Sequence, residues 1–77
     1  MKDSKQMLQT ELKNLYRLYD YNKEKANDKV IRMFTLFNLA SKLEYKAVER
    51  GEIDLVFSIK DLQTKIIDFI IRSLRRK

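Results

Sequence analysis

Residues 31–48, IRMFTLFNLASKLEYKAV, carry apolar side chains on two sides of the helix that this stretch predicts. Side chains three or four residues apart fall on the same side of a helix. A surface helix needs one apolar side, and a helix that is apolar all round is usually buried. We therefore expect a central helix that is covered on both sides in the functional state. One apolar stripe comprises Val30, Phe34, Phe37, Tyr45 and Val48, and the other comprises Leu36, Leu39, Leu43 and Ala47.

The composition favours long helices joined by short connections. The 77 residues include no Pro and a single Gly, Gly51, and 36% of them are charged. Turns between strands usually use Pro and Gly, so their scarcity argues against a sheet. A chain this short buries only about 60% of its unfolded surface, and its core is marginal. We predict an all-α fold with one domain, a small antiparallel three-helix bundle, either complete in itself or completed by homodimerisation.

Local signals place the three helices at about residues 4–22, 28–50 and 58–76. Asp3 and Gln6 have the spacing of a capping box, and Asn27 or Asp28 can cap the second helix. Gly51 suits the left-handed residue that follows a helix. The expected inward faces comprise Leu8, Leu12, Leu15 and Tyr19 in the first helix, and Ile59, Leu62, Ile66, Phe69, Ile70 and Leu74 in the third.

The start of the third helix is the least certain boundary. Ser58 and Asp61 form a capping-box pattern, and Phe57 and Leu62 have the spacing of a hydrophobic staple, which indicates a start near residue 58. The preceding segment, IDLVF at 53–57, is ambiguous. It can be a short helical turn, a short strand, or the true start of the helix.

The residue types argue against catalysis. The chain has no His and no Cys, which excludes disulfides, imidazole or thiol chemistry and the usual zinc sites. Glu49, Glu52 and Asp54 surround Gly51, but their spacing does not match a calcium-binding loop. We expect no enzyme activity and no catalytic, cofactor or metal site.

A net charge of +6 makes nucleic acid an alternative ligand. The last residues gather positive charge that also suits the negative end of a helix dipole. A helix-turn-helix around Gly51 has only weak support, because the segment between Gly51 and Ser58 is long for that motif. The candidates for contact with an acidic partner, protein or nucleic acid, are Arg72, Arg75, Arg76 and Lys77.

No stretch of the sequence predicts a membrane segment. Residues 1–12 lack the apolar core of a signal peptide, and IIDFII at 66–71 is too short to span a bilayer. Asp61 and Asp68 on the third helix also disfavour binding to an anionic membrane surface. We expect a cytoplasmic protein, and its Lys-, Asn- and Ile-rich composition suits a small bacterial or phage protein.

The function we expect is binding to a protein partner, as a regulator, inhibitor or adaptor. The predicted interface comprises Phe34, Phe37 and Tyr45 on one side of the central helix and Leu36, Leu39 and Leu43 on the other. The alternatives are a DNA- or RNA-binding regulator and, with less support, a membrane-surface or immunity-type role. An internal core that consumes all this apolar surface is also consistent with the pattern.

Overall fold

Three α-helices pack together in the computed structural model, which describes residues 4–25 and 27–75. The helices are α1 (Ser4–Glu24), α2 (Lys29–Glu49) and α3 (Ile53–Arg75). No strand occurs among these described residues. The predicted all-α three-helix bundle is therefore confirmed. The bounds of α1 and α2 match the prediction within two residues, which is the normal uncertainty of a helix end.

The predicted caps of the first two helices have different outcomes. Asp28 occupies the N-cap position of α2, but its side chain makes no capping hydrogen bond. Its carbonyl oxygen accepts the first helical bond from the Arg32 N–H at 2.9 Å. Asp3 lies outside the described residues, so the capping box that we predicted for the first helix is not described.

Gly51 reverses the chain between α2 and α3. Its φ of +70° lies in the left-handed region, where Gly carries no steric penalty. The Gly51 N–H donates to the Val48 carbonyl at 3.1 Å, and the Glu52 N–H donates to the Ala47 carbonyl at 2.9 Å. This pair of bonds is the Schellman arrangement that closes a helix C-terminus. The predicted role of Gly51 is confirmed.

The third helix begins at Ile53, five residues before the predicted start, and the Ser58 cap is therefore wrong. The Glu52 carbonyl already accepts the Val56 N–H at 3.1 Å, so the helix starts as soon as the chain has turned. The apolar spacing Leu55, Ile59, Leu62 runs through residue 58 without interruption, and all three side chains are buried. That continuous face outweighs the local capping pattern.

Polar contacts fix α2 and α3 side by side in opposite directions. Gln63 Nε2 donates to Ser41 Oγ and to Glu44 Oε1, both at 3.2 Å. Lys60 Nζ lies 2.8 Å from Glu44 Oε2. Moving forward along α2 therefore means moving backward along α3, as in an antiparallel hairpin. The helices of a helix-turn-helix motif instead cross at about 90–120°.

The first helix packs on one side of this antiparallel pair. Its inward stripe, Leu8, Leu12 and Leu15, is buried as predicted, and Tyr19 packs partly buried against the same core. Contacts are most extensive between α2 and α3 and least extensive between α1 and α3. The central helix is therefore α2, which is the shared neighbour of the other two.

Only one of the two apolar stripes of α2 lies in the core. Leu36, Leu43 and Ala47 are buried there, together with Met33 and Ala40. Leu39, which was assigned to the same stripe, is exposed at the edge. In the opposite stripe, Val30 and Phe37 are partly buried, whereas Phe34, Tyr45 and Val48 are exposed. The chain alone thus covers one side of its central helix.

We expect Leu43→Asp to unfold the protein and Leu39→Asp to leave it folded. Leu43 is 3% exposed and Leu39 is 41% exposed. Truncating a buried Leu costs about 2–5 kcal/mol, and a buried carboxylate adds a further penalty, against a total stability of about 5–15 kcal/mol. Circular dichroism during urea unfolding measures both variants. Equal stability of the two variants would contradict this assignment of the core.

Candidate functional site

A large apolar surface remains exposed on α2 and α3, and we call it the apolar face. Its side chains are between 44% and 69% exposed. Monomeric soluble proteins rarely expose so much apolar surface in one region unless it has a binding role. The apolar face comprises Ile31, Phe34, Tyr45 and Val48 of α2, and Ile53, Phe57, Ile67, Ile71 and Leu74 of α3.

The α3 half of the apolar face points away from α1. The groups of α3 that meet α1 are the Ser58 carbonyl and the Asp61 carboxylate, which contact Tyr16. At about 100° per residue, Ile67 and Leu74 lie more than about 100° around the helix from these contacts. Helix α1 therefore leaves this side of α3 uncovered.

The α2 half of the apolar face also points away from α1. The side of α2 next to α1 carries Leu36 and Leu39, which line a shallow groove with Leu18 of α1. Phe34 and Tyr45 lie about 150° around α2 from that groove. Most of the apolar face therefore lies on the side of the α2–α3 pair opposite α1, whereas Ile31 and Phe57 lie at its outer edges, about 40° from groups that border α1.

A band of polar side chains, which we call the polar waist, divides the apolar face into two ends. It consists of Ser41, Glu44, Lys60 and Gln63, joined by the contacts that fix the register of the two helices. Because the helices are antiparallel, Ile31, Phe34, Ile67, Ile71 and Leu74 lie at one end. Tyr45, Val48, Ile53 and Phe57 lie at the other end.

The polar waist carries the strongest electrostatic pairing on this surface. The hydrogen bond from Lys60 lowers the pKa of Glu44 below its ordinary value, and the bond from Gln63 adds to this effect. The folded state therefore favours the ionised carboxylate. Its contribution to stability is present above the ordinary pKa and is lost as the pH falls through the lowered one.

The structure divides the predicted interface residues into three groups. Leu36 and Leu43 are consumed by the core of the chain itself and are not available to a partner. Phe34 and Tyr45 belong to the apolar face, and Phe37 lies partly buried beneath it. Leu39 is exposed on the other side, next to α1.

A second surface, the basic ridge, runs along the outer side of α2. It consists of Arg32, Lys42, Lys46 and Arg50, which are all exposed. These side chains fall within about 80° of the helix circumference, with Glu49 at the margin. None of them takes part in an ion pair between described residues. This ridge was not predicted above, although the four-residue spacing of Lys42, Lys46 and Arg50 in the sequence indicates it.

The basic cluster predicted at the end of α3 is described only in part. Arg72 Nε lies 3.1 Å from Asp68 Oδ2, so the positive charge of Arg72 is already paired with a carboxylate of its own helix. Arg75 is exposed in the last turn of α3, where it faces the negative end of the helix dipole. Arg76 and Lys77 lie outside the described residues. The contact of this cluster with an acidic partner stays a prediction.

Tyr16 ties α1 to α3. Its hydroxyl lies 3.1 Å from the Ser58 carbonyl and 3.0 Å from Asp61 Oδ2, and it donates its one hydrogen to these acceptors. Lys65 lies over the Tyr16 ring at 5.7 Å and pairs with Asp61 at 3.4 Å. Burial and the interaction with Asp61 raise the pKa of Tyr16 to about 12. The cluster is a structural link, because its hydrogen bonds join α1 to α3 at the solvent-facing edge of their contact.

The described residues offer neither a metal centre nor a membrane span. Among residues 4–25 and 27–75, no group of three or more acidic side chains has the arrangement of a metal site. No helix in this part of the chain is long and apolar enough to cross a bilayer. The surfaces that distinguish the molecule are therefore the apolar face and the basic ridge.

Comparison of the chain with protein-family models, with curated proteins and with solved structures finds no match. The apolar face and the basic ridge are therefore the features that bear on function.

We expect the stability supplied by Tyr16 to disappear in alkali. Its pKa is about 12 in the folded state and 10.0 in the absence of the fold, so the folded state holds the proton more tightly. This contribution is complete below pH 10 and is lost as the pH rises towards 12. Tyr16→Phe should cost about 1 kcal/mol at neutral pH and should remove this part of the alkaline dependence.

Urea unfolding at neutral and alkaline pH measures the effect of Tyr16→Phe. The matched control is Tyr21→Phe, because Tyr21 is exposed on the same helix. An identical alkaline loss in the wild type and in Tyr16→Phe would contradict the role of the Tyr16–Asp61 contact.

Proposed function

We propose that this protein is a small, non-enzymatic interaction module that binds a protein partner through the apolar face. A regulator, an inhibitor and an adaptor all work in this way. The observation that carries the proposal is the exposure of nine large apolar side chains on the α2–α3 pair, most of them on the side opposite α1. Water contact with that much apolar surface is unfavourable, and a partner relieves it.

The chemistry of the apolar face suits a protein better than a small ligand. Protein interfaces have an apolar centre with aromatic side chains and a polar rim, and Phe34, Tyr45 and Phe57 supply the aromatic groups. The face is open, whereas a small-molecule site encloses most of its ligand. A partner that presents an apolar helix or helix pair fits this surface.

We expect Phe57→Ser combined with Ile71→Ser to abolish capture of the partner. These two side chains lie at opposite ends of the apolar face and are exposed, so their truncation removes binding surface and leaves the core intact. The measurement is tagged capture from native cell extract, read by mass spectrometry, with one half of the extract treated with nuclease.

The matched control is Leu18→Ser combined with Leu39→Ser, which truncates two exposed Leu side chains near α1. The proposal is supported if a stoichiometric protein is captured after nuclease treatment, is lost with Phe57→Ser plus Ile71→Ser, and is retained with the control. Unchanged capture by Phe57→Ser plus Ile71→Ser would refute it. Affinity should vary only modestly with salt, because apolar contacts dominate.

The basic ridge favours a second candidate, binding to DNA or RNA. Four cations that make no ion pair with another described residue, on one side of a helix, can meet the phosphates of a backbone. The ridge and most of the apolar face lie on different sides of α2, and Ile31 lies within about 20° of Lys42 around the helix, so separate substitutions on each surface test them independently.

If the ridge binds nucleic acid, Lys42→Glu with Lys46→Glu should abolish the binding. Four phosphate contacts predict a slope of log affinity against log salt of about −3 to −4. Fluorescence anisotropy with a labelled duplex DNA and a labelled single-stranded RNA measures this slope. Lys13→Glu with Arg17→Glu, on the exposed side of α1, changes the net charge equally and is the control. Equal losses in the two variants would indicate a net-charge effect and exclude a ridge-specific site.

A further inference from the structure

We infer that the partner on the apolar face is a second copy of this chain, related by a two-fold axis that runs parallel to α2 and α3. The inference rests on the proposed function of the apolar face and names its occupant. The two α2–α3 pairs then stack face to face as a four-helix core, and each α1 stays on the outside of its own pair.

The layout of the apolar face is self-complementary. Two-fold dimers use the same patch on both subunits, so the patch must match itself after rotation. The apolar face has an apolar end on each side of the polar waist. Rotation about an axis parallel to the helices keeps every position along the helix axis. Each apolar end therefore packs against the same end of the copy, and the polar waist packs against the polar waist of the copy.

The charges of the polar waist select this axis over the alternative. Glu44 belongs to α2 and Lys60 belongs to α3. With the axis parallel to the helices, α2 lies over α3 of the copy, so Glu44 meets Lys60 twice. With an axis across the helices, α2 lies over α2 and Glu44 meets Glu44. Opposite charges favour an interface and like charges oppose it, so the parallel axis is preferred.

The size of the apolar face fits a stable dimer. A large side chain presents at least about 150 Å² to solvent when it is fully exposed. The nine side chains of the apolar face are on average a little over half exposed, so together they present on the order of 750 Å². Stable complexes bury about 800 Å² on each partner. The apolar side chains alone come close to that area.

A second copy also explains why α2 is apolar on two sides. The core of the single chain covers Leu36, Leu43 and Ala47 but leaves Phe34 and Tyr45 in water. In the paired arrangement, α3 of the copy lies over the second side of α2. The pattern of residues 31–48 is then that of a helix covered on two sides, with the basic ridge left in solvent between them.

Sedimentation equilibrium of the full chain, from about 1 to 500 µM, tests the inference. We expect a reversible monomer–dimer equilibrium. Phe34→Asp with Ile67→Asp should weaken association at least about 100-fold, because these side chains share one end of the apolar face. Leu18→Asp with Leu39→Asp, which adds the same charge near α1, should leave association unchanged. Circular dichroism establishes that each variant is folded.

The charge matching has a test that does not depend on apolar substitutions. Glu44→Lys alone and Lys60→Glu alone should each associate more weakly than the wild type. An equimolar mixture of the two should recover association, because each Lys then meets a Glu of the other chain. No recovery in the mixture would overturn the pairing of Glu44 with Lys60 across the interface.

Single Cys substitutions test the direction of the axis, since the chain has no Cys of its own. Ser41→Cys lies at the waist and Val48→Cys lies towards one end. A disulfide requires Cα atoms closer than about 7 Å. With the parallel axis, α2 lies over α3 of the copy and the two α2 helices are diagonal to each other, so neither variant should cross-link to its own copy. An axis across the helices separates the two copies of residue 48 by on the order of 16 Å along the helix, so only Ser41→Cys would cross-link.

The outcomes separate this inference from the proposed function. A wild-type chain that is monomeric at about 500 µM overturns the dimer, while capture of a different protein by the same face would still stand. A dimer that survives Phe34→Asp with Ile67→Asp excludes the apolar face as the dimer interface and overturns the inference, while the proposed function is still decided by the capture experiment. Cross-linking of Ser41→Cys alone overturns the parallel axis.

Discussion

The reversal of the chain at Gly51 determines how the rest of the molecule is arranged. Its left-handed backbone ends α2 and allows α3 to begin two residues later, so the two helices lie side by side. The contacts of Gln63 and Lys60 with α2 then fix the register along their length. A longer connection would let the pair open, and neither the shared core nor the apolar face would form.

One helix cannot cover both sides of a two-helix layer. Helix α1 buries Leu8, Leu12 and Leu15 against one side, and its polar link through Tyr16 holds it there. The chain has no fourth helix among its described residues to cover the other side. The exposed apolar face follows from this count of helices and is not a defect of packing, because the buried side is well filled by residues such as Ile59 and Leu62.

The sequence predicts features that depend on local spacing and misses those that depend on the neighbours of a helix. Helical periodicity identifies the inward stripe of α1 and the two-sided pattern of α2 from residues alone. It cannot say that Leu39 lies at an edge, because that depends on where α1 docks. The capping pattern at Ser58 misleads for a related reason: Leu55 and Ile59 already continue a buried face through it.

The basic ridge shows why net charge along the chain is a poor guide to charged surfaces. Lys42, Lys46 and Arg50 are diluted in a linear count by nearby acidic residues, yet Glu44 points to Lys60 and leaves the ridge unopposed. Because the ridge and most of the apolar face occupy different sides of α2, binding on the apolar face leaves the ridge open to solvent. In the inferred dimer, the two ridges lie at diagonally opposite edges of the four-helix core. Association driven by apolar surface would thereby double the cationic surface on one particle, and if the ridge binds phosphate, two such edges gain avidity when one backbone can reach both. The two proposed binding modes use different surfaces and are therefore compatible on this scaffold.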